Sequence, residues 1–271
     1  MAQPSLEKTI SQDGTPIAFW RSGEGPPLVL VHGASADHTR WEFVLPLLEP
    51  HVTVYAMDRR GRGASGDAAG YALSDEAADV AAVVDAVARS TGEQVDLFGH
   101  SYGGLCALET ALLTRGIRRL VLYESGVGSP TPPGFVDGLA ALLAAGRREE
   151  IVVNLLRDIA GMDDDQVALV RSTPSWSGRV AAAHTIVREL RTHDAYRYDP
   201  ARFAALSVPL LLFGGSESPP EEVASTDMLA ATLPGARVVT LQGQGHVAQL
   251  TAPELFAATL LQFLQEADRG H

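Results

Sequence analysis

A serine set between two glycines at the mouth of a helix is the arrangement a nucleophile needs, and Gly99, His100, Ser101, Tyr102 and Gly103 supply it. The apolar run from Val95 to Phe98 reads as a strand, and Leu105, Leu108 and Leu112 recur at helical spacing, so Ser101 falls on the turn between them. A turn that sharp predicts positive φ at the serine and brings strand and helix so close that side chains at Gly99 and Gly103 would collide. It also lifts Oγ clear of the sheet at a helix N-terminus, where the Tyr102 N–H points outward and can stabilise a developing oxyanion. Five residues arise readily by chance in a chain with 26 glycines, so the flanking strand and helix carry much of the weight.

A serine hydroxyl attacks well only when a base removes its proton, and histidine has the suitable pKa. Of eight histidines, His246 is the one on a glycine-rich loop directly after the last predicted strand.

The elements that must position these groups alternate along the chain. Residues 6–22 read as a hairpin turning at Asp13 and Gly14. Buried-type strands follow at 28–31, 52–57, 95–98, 117–123, 208–213 and 237–241. Between them come a helix around 41–48, one capped by Ser74 with Val80, Val83, Val84 and Val87 on its apolar stripe, and another over 221–233. Thr251 and Glu254 form a capping box for a final helix carrying Phe256, Leu260, Phe263 and Leu264. This alternation specifies an α/β fold, a mostly parallel sheet with helices on both faces. It breaks at 125–134, after which helices are predicted over 135–145, 149–159, 164–171 and 180–191 with no strand. The chain therefore divides into a core, 1–128 and 205–271, and an all-helical insertion, 129–204. Trp176, His184, His193, Tyr196 and Tyr198 are its notable polar-aromatic residues, expected mainly to pack it on the core.

The 271 residues are 46% hydrophobic, with 21 Lys and Arg against 33 Asp and Glu. A net charge of −12 opposes binding to nucleic acid or an anionic membrane. Cys106, the only cysteine, excludes an internal disulfide and is expected to be buried and inert. The opening residues show no secretory segment and no stretch reaches transmembrane length uninterrupted, so a cytoplasmic protein is expected. Gly61, Gly63 and Gly66 match G-x-G-x-x-G, yet no helix opens at Gly66 and the acid about 20 residues on, Asp85, falls inside a helix. Asp163, Asp164 and Asp165 read as a solvated helix start, since no ligand loop accompanies them.

Four stretches, at 28–34 (ending His32, Gly33, Ala34), 58–65, 99–103 and 245–246, resemble in order and spacing those of the α/β-hydrolase family, over nearly the whole chain. The resemblance implies that the helical insertion is a cap over the active site. It implies that the Ala34 N–H joins that of Tyr102 as oxyanion donor, that His32 organises its loop, and that Asp58 and Arg60 tie down the glycine turn. It also brings His246 beside Ser101. For the acid that orients His246, most of the family uses the position of Glu217, the first choice here, although the family's usual residue is the shorter Asp; some relatives, certain haloalkane dehalogenases among them, use that of Glu124, the alternative. A serine in place of the aspartate of epoxide hydrolases and dehalogenases implies an acyl ester. The expected function is a serine hydrolase acting on an ester or lactone of a small, mostly apolar substrate, without cofactor or metal. Alternatives are carbon–carbon bond hydrolysis, cofactor-free perhydrolysis, or ligand sensing on the same fold; the oligomeric state is left open.

Overall fold

The computed structural model describes residues 4–266; residues 1–3, part of the opening stretch read above for a secretory segment, lie outside them. Strands β1 (Ser5–Ile10) and β2 (Pro16–Gly23) form the expected antiparallel hairpin, with Gly14 at φ 88°. After them come β3 (Pro27–Val31), β4 (Thr53–Met57), β5 (Val95–His100), β6 (Ile117–Tyr123), β7 (Leu210–Gly215) and β8 (Arg237–Leu241). They make one 8-stranded sheet in the order β1-β2-β4-β3-β5-β6-β7-β8, parallel from β4 onward. Successive side chains alternate between two cores. Val29, Val31, Leu97 and Leu122 face α2 (Leu73–Thr91) and α3 (Tyr102–Thr110); Leu30, Phe98 and Phe213 face α1 (Leu45–Leu48) and the C-terminal helix. Both faces are covered, which accounts for strands that are apolar throughout.

Three local expectations are corrected. The helix foreseen at 41–48 is a 3-10 turn, His38–Trp41, and then α1, because Pro46 has no N–H to continue a ladder through. Ser74 lies inside α2, not at its cap: Ala72 is the cap, and the Asp75 carboxylate accepts its N–H at 2.8 Å. Thr251 ends the short α10 (Ala248–Thr251) and hydrogen-bonds Gln244 at 2.7 Å, so α11 (Pro253–Glu266) starts from Pro253 without the foreseen box.

Between β6 and β7 the described residues contain helices and no strand: α4 (Phe135–Ala144), α5 (Arg148–Asn154), α6 (Asp164–Ser172), α7 (Trp176–Ala181) and α8 (Ala183–Ala195). The foreseen 149–159 helix is α5 plus a wider turn over Leu155–Ile159, closed by Ala160 N–H to Leu155 O at 3.1 Å. The foreseen 180–191 helix is preceded by α7, which it meets at Ala182. Asp163 caps α6 through the Gln166 N–H at 2.8 Å. These helices have an apolar core of their own, including Leu139, Ile151, Val167 and Ile186. Polar anchors tie this segment to the loop after β6 and to the helices on the sheet: His193 to Gly126 O at 2.8 Å, Tyr196 to Glu109 at 2.6 Å and Tyr198 to Thr232 at 2.9 Å. A final 3-10 turn, Pro200–Phe203, leads to α9 (Pro220–Thr232) by way of β7. Among the described residues no helix is long and apolar enough to cross a membrane.

The glycine turn after β4 is structural. Asp58 fills the space beneath Gly63 and accepts the backbone N–H groups of His38 and Ala64, each at 2.9 Å. Arg60 is clamped by Asp79 at 2.6 and 2.8 Å. No helix opens at Gly66, and Asp85 lies within α2. Cys106 is buried, and burial pushes its thiol pKa well up.

Candidate active site

Ser101 stands between β5 and α3 at φ 55°, ψ −131°, a conformation costly for a residue with a Cβ. It is held there by its N–H to Tyr123 O at 2.9 Å and by its carbonyl, which accepts the Gly104 N–H at 2.7 Å. The neighbouring glycines are required sterically. A Cβ at Gly99 would lie 2.6 Å from Gly103 O, and one at Gly103 would strike the His32 carbonyl. Gly33 passes closest to the serine: a Cβ there would come within 2.8 Å of the Ser101 Cβ. Ala34, Ser101 and Tyr102 line one cavity of about 450 Å³, within the roughly 300–1,000 Å³ usual for small-molecule sites. His32 is fully buried behind this loop, its Nδ1 against Gly33 O at 2.8 Å and its Nε2 accepting the Arg59 N–H at 3.2 Å. Burial and the nearby arginines hold its pKa well below the usual value, so it is a neutral brace.

His246 also lines the cavity, and its Nδ1 lies 2.8 Å from an oxygen of Glu124. The preference for Glu217 is therefore corrected. The loop after β7 folds back, with the Ser216 N–H on Leu241 O at 3.1 Å and the Glu217 N–H on Gln244 O at 2.9 Å. That leaves the Glu217 side chain exposed. What this loop gives the site is donors: the Gly215 N–H at 2.6 Å and the Ser218 hydroxyl at 2.5 Å both bond the other Glu124 oxygen. Glu124 leaves the end of β6 at φ 44° and is 2% exposed. Burial favours its neutral form, but the bonds from His246, Ser218 and Gly215 outweigh that and hold its pKa below the usual carboxylate value. For His246, burial opposes the proton; the Glu124 hydrogen bond and the charges of Glu222 and Glu124 prevail and raise its pKa.

Two residues hold the His246 loop that no sequence motif pointed to. The Tyr123 hydroxyl donates to Gly245 O and accepts the Ala248 N–H at 3.1 Å. His100, the residue before the serine, sets its Nε2 2.8 Å from His246 O, and burial keeps its pKa well below normal. Glu222, on the first turn of α9, faces the pair from the cavity. One of its oxygens has no hydrogen-bond partner, and burial raises its pKa to about 7. Arg40 and Arg179 are likewise buried in the cavity wall.

Ligand atoms of Glu124, Glu222 and His246 lie within 4.8 Å of one another, as do those of Asp37, His38 and Asp58. In the second group Asp58 is saturated by His38, Ala64 and Trp20; in the first, His246 Nδ1 is already given to Glu124.

Residues 28–259 match the model of the alpha/beta hydrolase family. The 2-hydroxymuconate semialdehyde hydrolase of Pseudomonas sp. (strain CF600) is 30% identical over 282 residues, covering 98% of this chain and 96% of that protein. A putative carbamate hydrolase, RutD, of Agrobacterium fabrum is 27% identical over 253 residues, 91% of this chain and 95% of its own. The crystal structure of an alpha/beta hydrolase from Sphaerobacter thermophilus superposes with a TM-score of 0.81 at 39% identity, over 96% of this chain and all of that one. A sheet of this order, a strained serine on the turn after β5 and a match spanning most of the sequence agree: the chain belongs to the alpha/beta hydrolase family.

Proposed function

We propose that this hydrolase cleaves an ester or lactone of a small, largely apolar molecule through an acyl-enzyme on Ser101. The observation that carries the reading is a strained serine sharing a cavity with an imidazole whose far nitrogen is engaged by a buried carboxylate. With Nδ1 bonded to Glu124, His246 presents Nε2 as the base. Ser101 Oγ attacks the carbonyl carbon while His246 takes its proton. The tetrahedral oxyanion is held by the Ala34 and Tyr102 N–H groups, and the imidazolium returns the proton to the departing alcohol. Water, deprotonated by His246, then releases the acid and restores the serine. Residues 129–204 act as the cap, with Leu155, Leu156, Ile159 and Met162 contributing the apolar part of the cavity wall.

A second reading, hydrolysis of a carbon–carbon bond in a diketone by the same residues, is favoured by the likeness to a 2-hydroxymuconate semialdehyde hydrolase. A panel of short p-nitrophenyl esters, lactones and diketones separates the two. Ser101→Ala is expected to cut turnover by about a million-fold and to abolish fluorophosphonate labelling; turnover that survives this substitution rules out the serine mechanism.

A further inference from the structure

The wall of the cavity holds two cations that, among the described residues, no carboxylate touches. Arg40, in the 3-10 turn after the Ala34 loop, is 8% exposed and Arg179, on α7, 4%. Among the described residues neither lies within ion-pairing distance of a carboxylate. The Arg40 guanidinium makes no hydrogen bond, and its Nε is wholly buried without a partner. Arg179 reaches only neutral oxygens, Ser35 O at 2.7 Å, the Ser175 hydroxyl at 3.4 Å and the Ser35 hydroxyl at 3.5 Å. Asp37 and Glu42 act on Arg179 only at longer range. Burial and mutual repulsion pull Arg40 down to about 9, and burial pulls Arg179 to about 10. A buried cation left unpaired costs stability, so its persistence in the wall of the cavity that Ser101 also lines calls for a counter-charge that arrives with the substrate. The acids on the same cavity lie elsewhere: Asp158 and Glu221 are exposed, and Glu222 faces His246 and Glu124.

We propose that the acyl substrate bears a second, free carboxylate, bound by Arg40 with Arg179 beside it, while its apolar chain lies along Leu155, Leu156, Ile159, Met162 and Val247. This rests on the serine hydrolase reading and narrows it. The substrate is a half-ester or comparable monoanion of a short diacid, and its hydrolysis releases a dicarboxylate. A guanidinium holds a carboxylate through paired, charge-assisted hydrogen bonds.

The test compares mono-p-nitrophenyl adipate with the same ester carrying a primary amide in place of the free carboxylate. Wild type is expected to favour the carboxylate form in kcat/KM by about 100-fold, and Arg40→Met to bring the ratio near one. Removing an unpaired buried charge should also raise the melting temperature of Arg40→Met by about 2–4 °C. A wild-type ratio near one overturns the proposal, and so does an Arg40→Met variant that loses both esters equally, which would place Arg40 on the oxyanion or in the scaffold. A binding measurement free of serine chemistry accompanies it. Adipate, but not adipamide, is expected to raise the melting temperature of Ser101→Ala, and the shift should vanish in Ser101→Ala/Arg40→Met. No shift with adipate overturns the anion site; a shift together with ester turnover that survives Ser101→Ala overturns the serine mechanism and leaves the anion site standing.

Discussion

Two groups of buried arginines lie on either side of the Ala34 loop and differ in one respect. In the group after β4, Arg59 is forked by Glu76 at 2.6 and 3.0 Å and lies 3.0 Å from Glu189. Arg60 is forked by Asp79, and Arg62 bonds Glu189 and Thr185 on α8. Despite burial, the neighbouring carboxylates raise the pKa of Arg59 and Arg60. Arg40 and Arg179 are also buried and have theirs lowered. The paired group is scaffold: it holds the carbonyls of His32 and Gly33, and hence the Ala34 loop, and it joins α8 to the turn after β4. The unpaired group has a charge to offer a ligand. The acids repeat the contrast around His246, where Glu124 is satisfied by three donors and Glu222 keeps a bare oxygen.

Exchanging members across that divide tests it. The largest effect falls on the paired acid: Glu124→Gln is expected to lower kcat by about ten-thousand-fold, through loss of the tautomer and of support for the imidazolium. The acid limb of its pH–rate profile should move to lower pH as His246 loses the bond that raises its pKa. Glu217→Gln should stay within about two-fold of wild type; the reverse pattern would restore Glu217 as the acid. Next comes the paired base, Arg59→Met. It strands Glu76 in the interior with only the Tyr71 hydroxyl as partner, at about 3–5 kcal/mol, read as a melting temperature lower by on the order of 10 °C, whereas Arg40→Met moves it the other way. A loss at Arg40 as large as that at Arg59 would erase the distinction.

The last effect, confined to one pH window, is that of Glu222→Gln. With its folded pKa at about 7 against an ordinary 4.5, the folded protein holds a proton that the unfolded chain has released between those values. Its contribution therefore turns unfavourable as pH rises through that window. Glu222→Gln should match wild type near pH 4 and exceed it above pH 7 by on the order of 3 kcal/mol. Chemical denaturation across pH 4–8 measures the difference; one that does not widen with pH removes the unpaired acid from the comparison.

Much of this was legible in the residues. Strand and helix alternation, the elbow at Ser101 and the loop of His246 rest on local periodicity and on glycines whose φ or close approach no other residue tolerates. Glu124 against Glu217 was not decided locally. Both follow apolar strands, and only the fold-back of the loop after β7, set by bonds to the His246 loop, decides which carboxylate turns inward. Arg40 and Arg179 carry no local signal at all. One sits beside Trp41 in a short turn and the other in α7, at a position outside the helices that apolar spacing predicted. What distinguishes them is a counter-charge missing across the tertiary structure, which no window of sequence contains.

Tyr123 and Glu124 are consecutive, and one clasps the peptide of Gly245 while the other holds the ring of His246. One strand end therefore fixes both the loop that carries His246 and the orientation of its ring. The serine is tethered there too, through its N–H to the Tyr123 carbonyl. Serine, imidazole and carboxylate are thus all bonded to the same strand end.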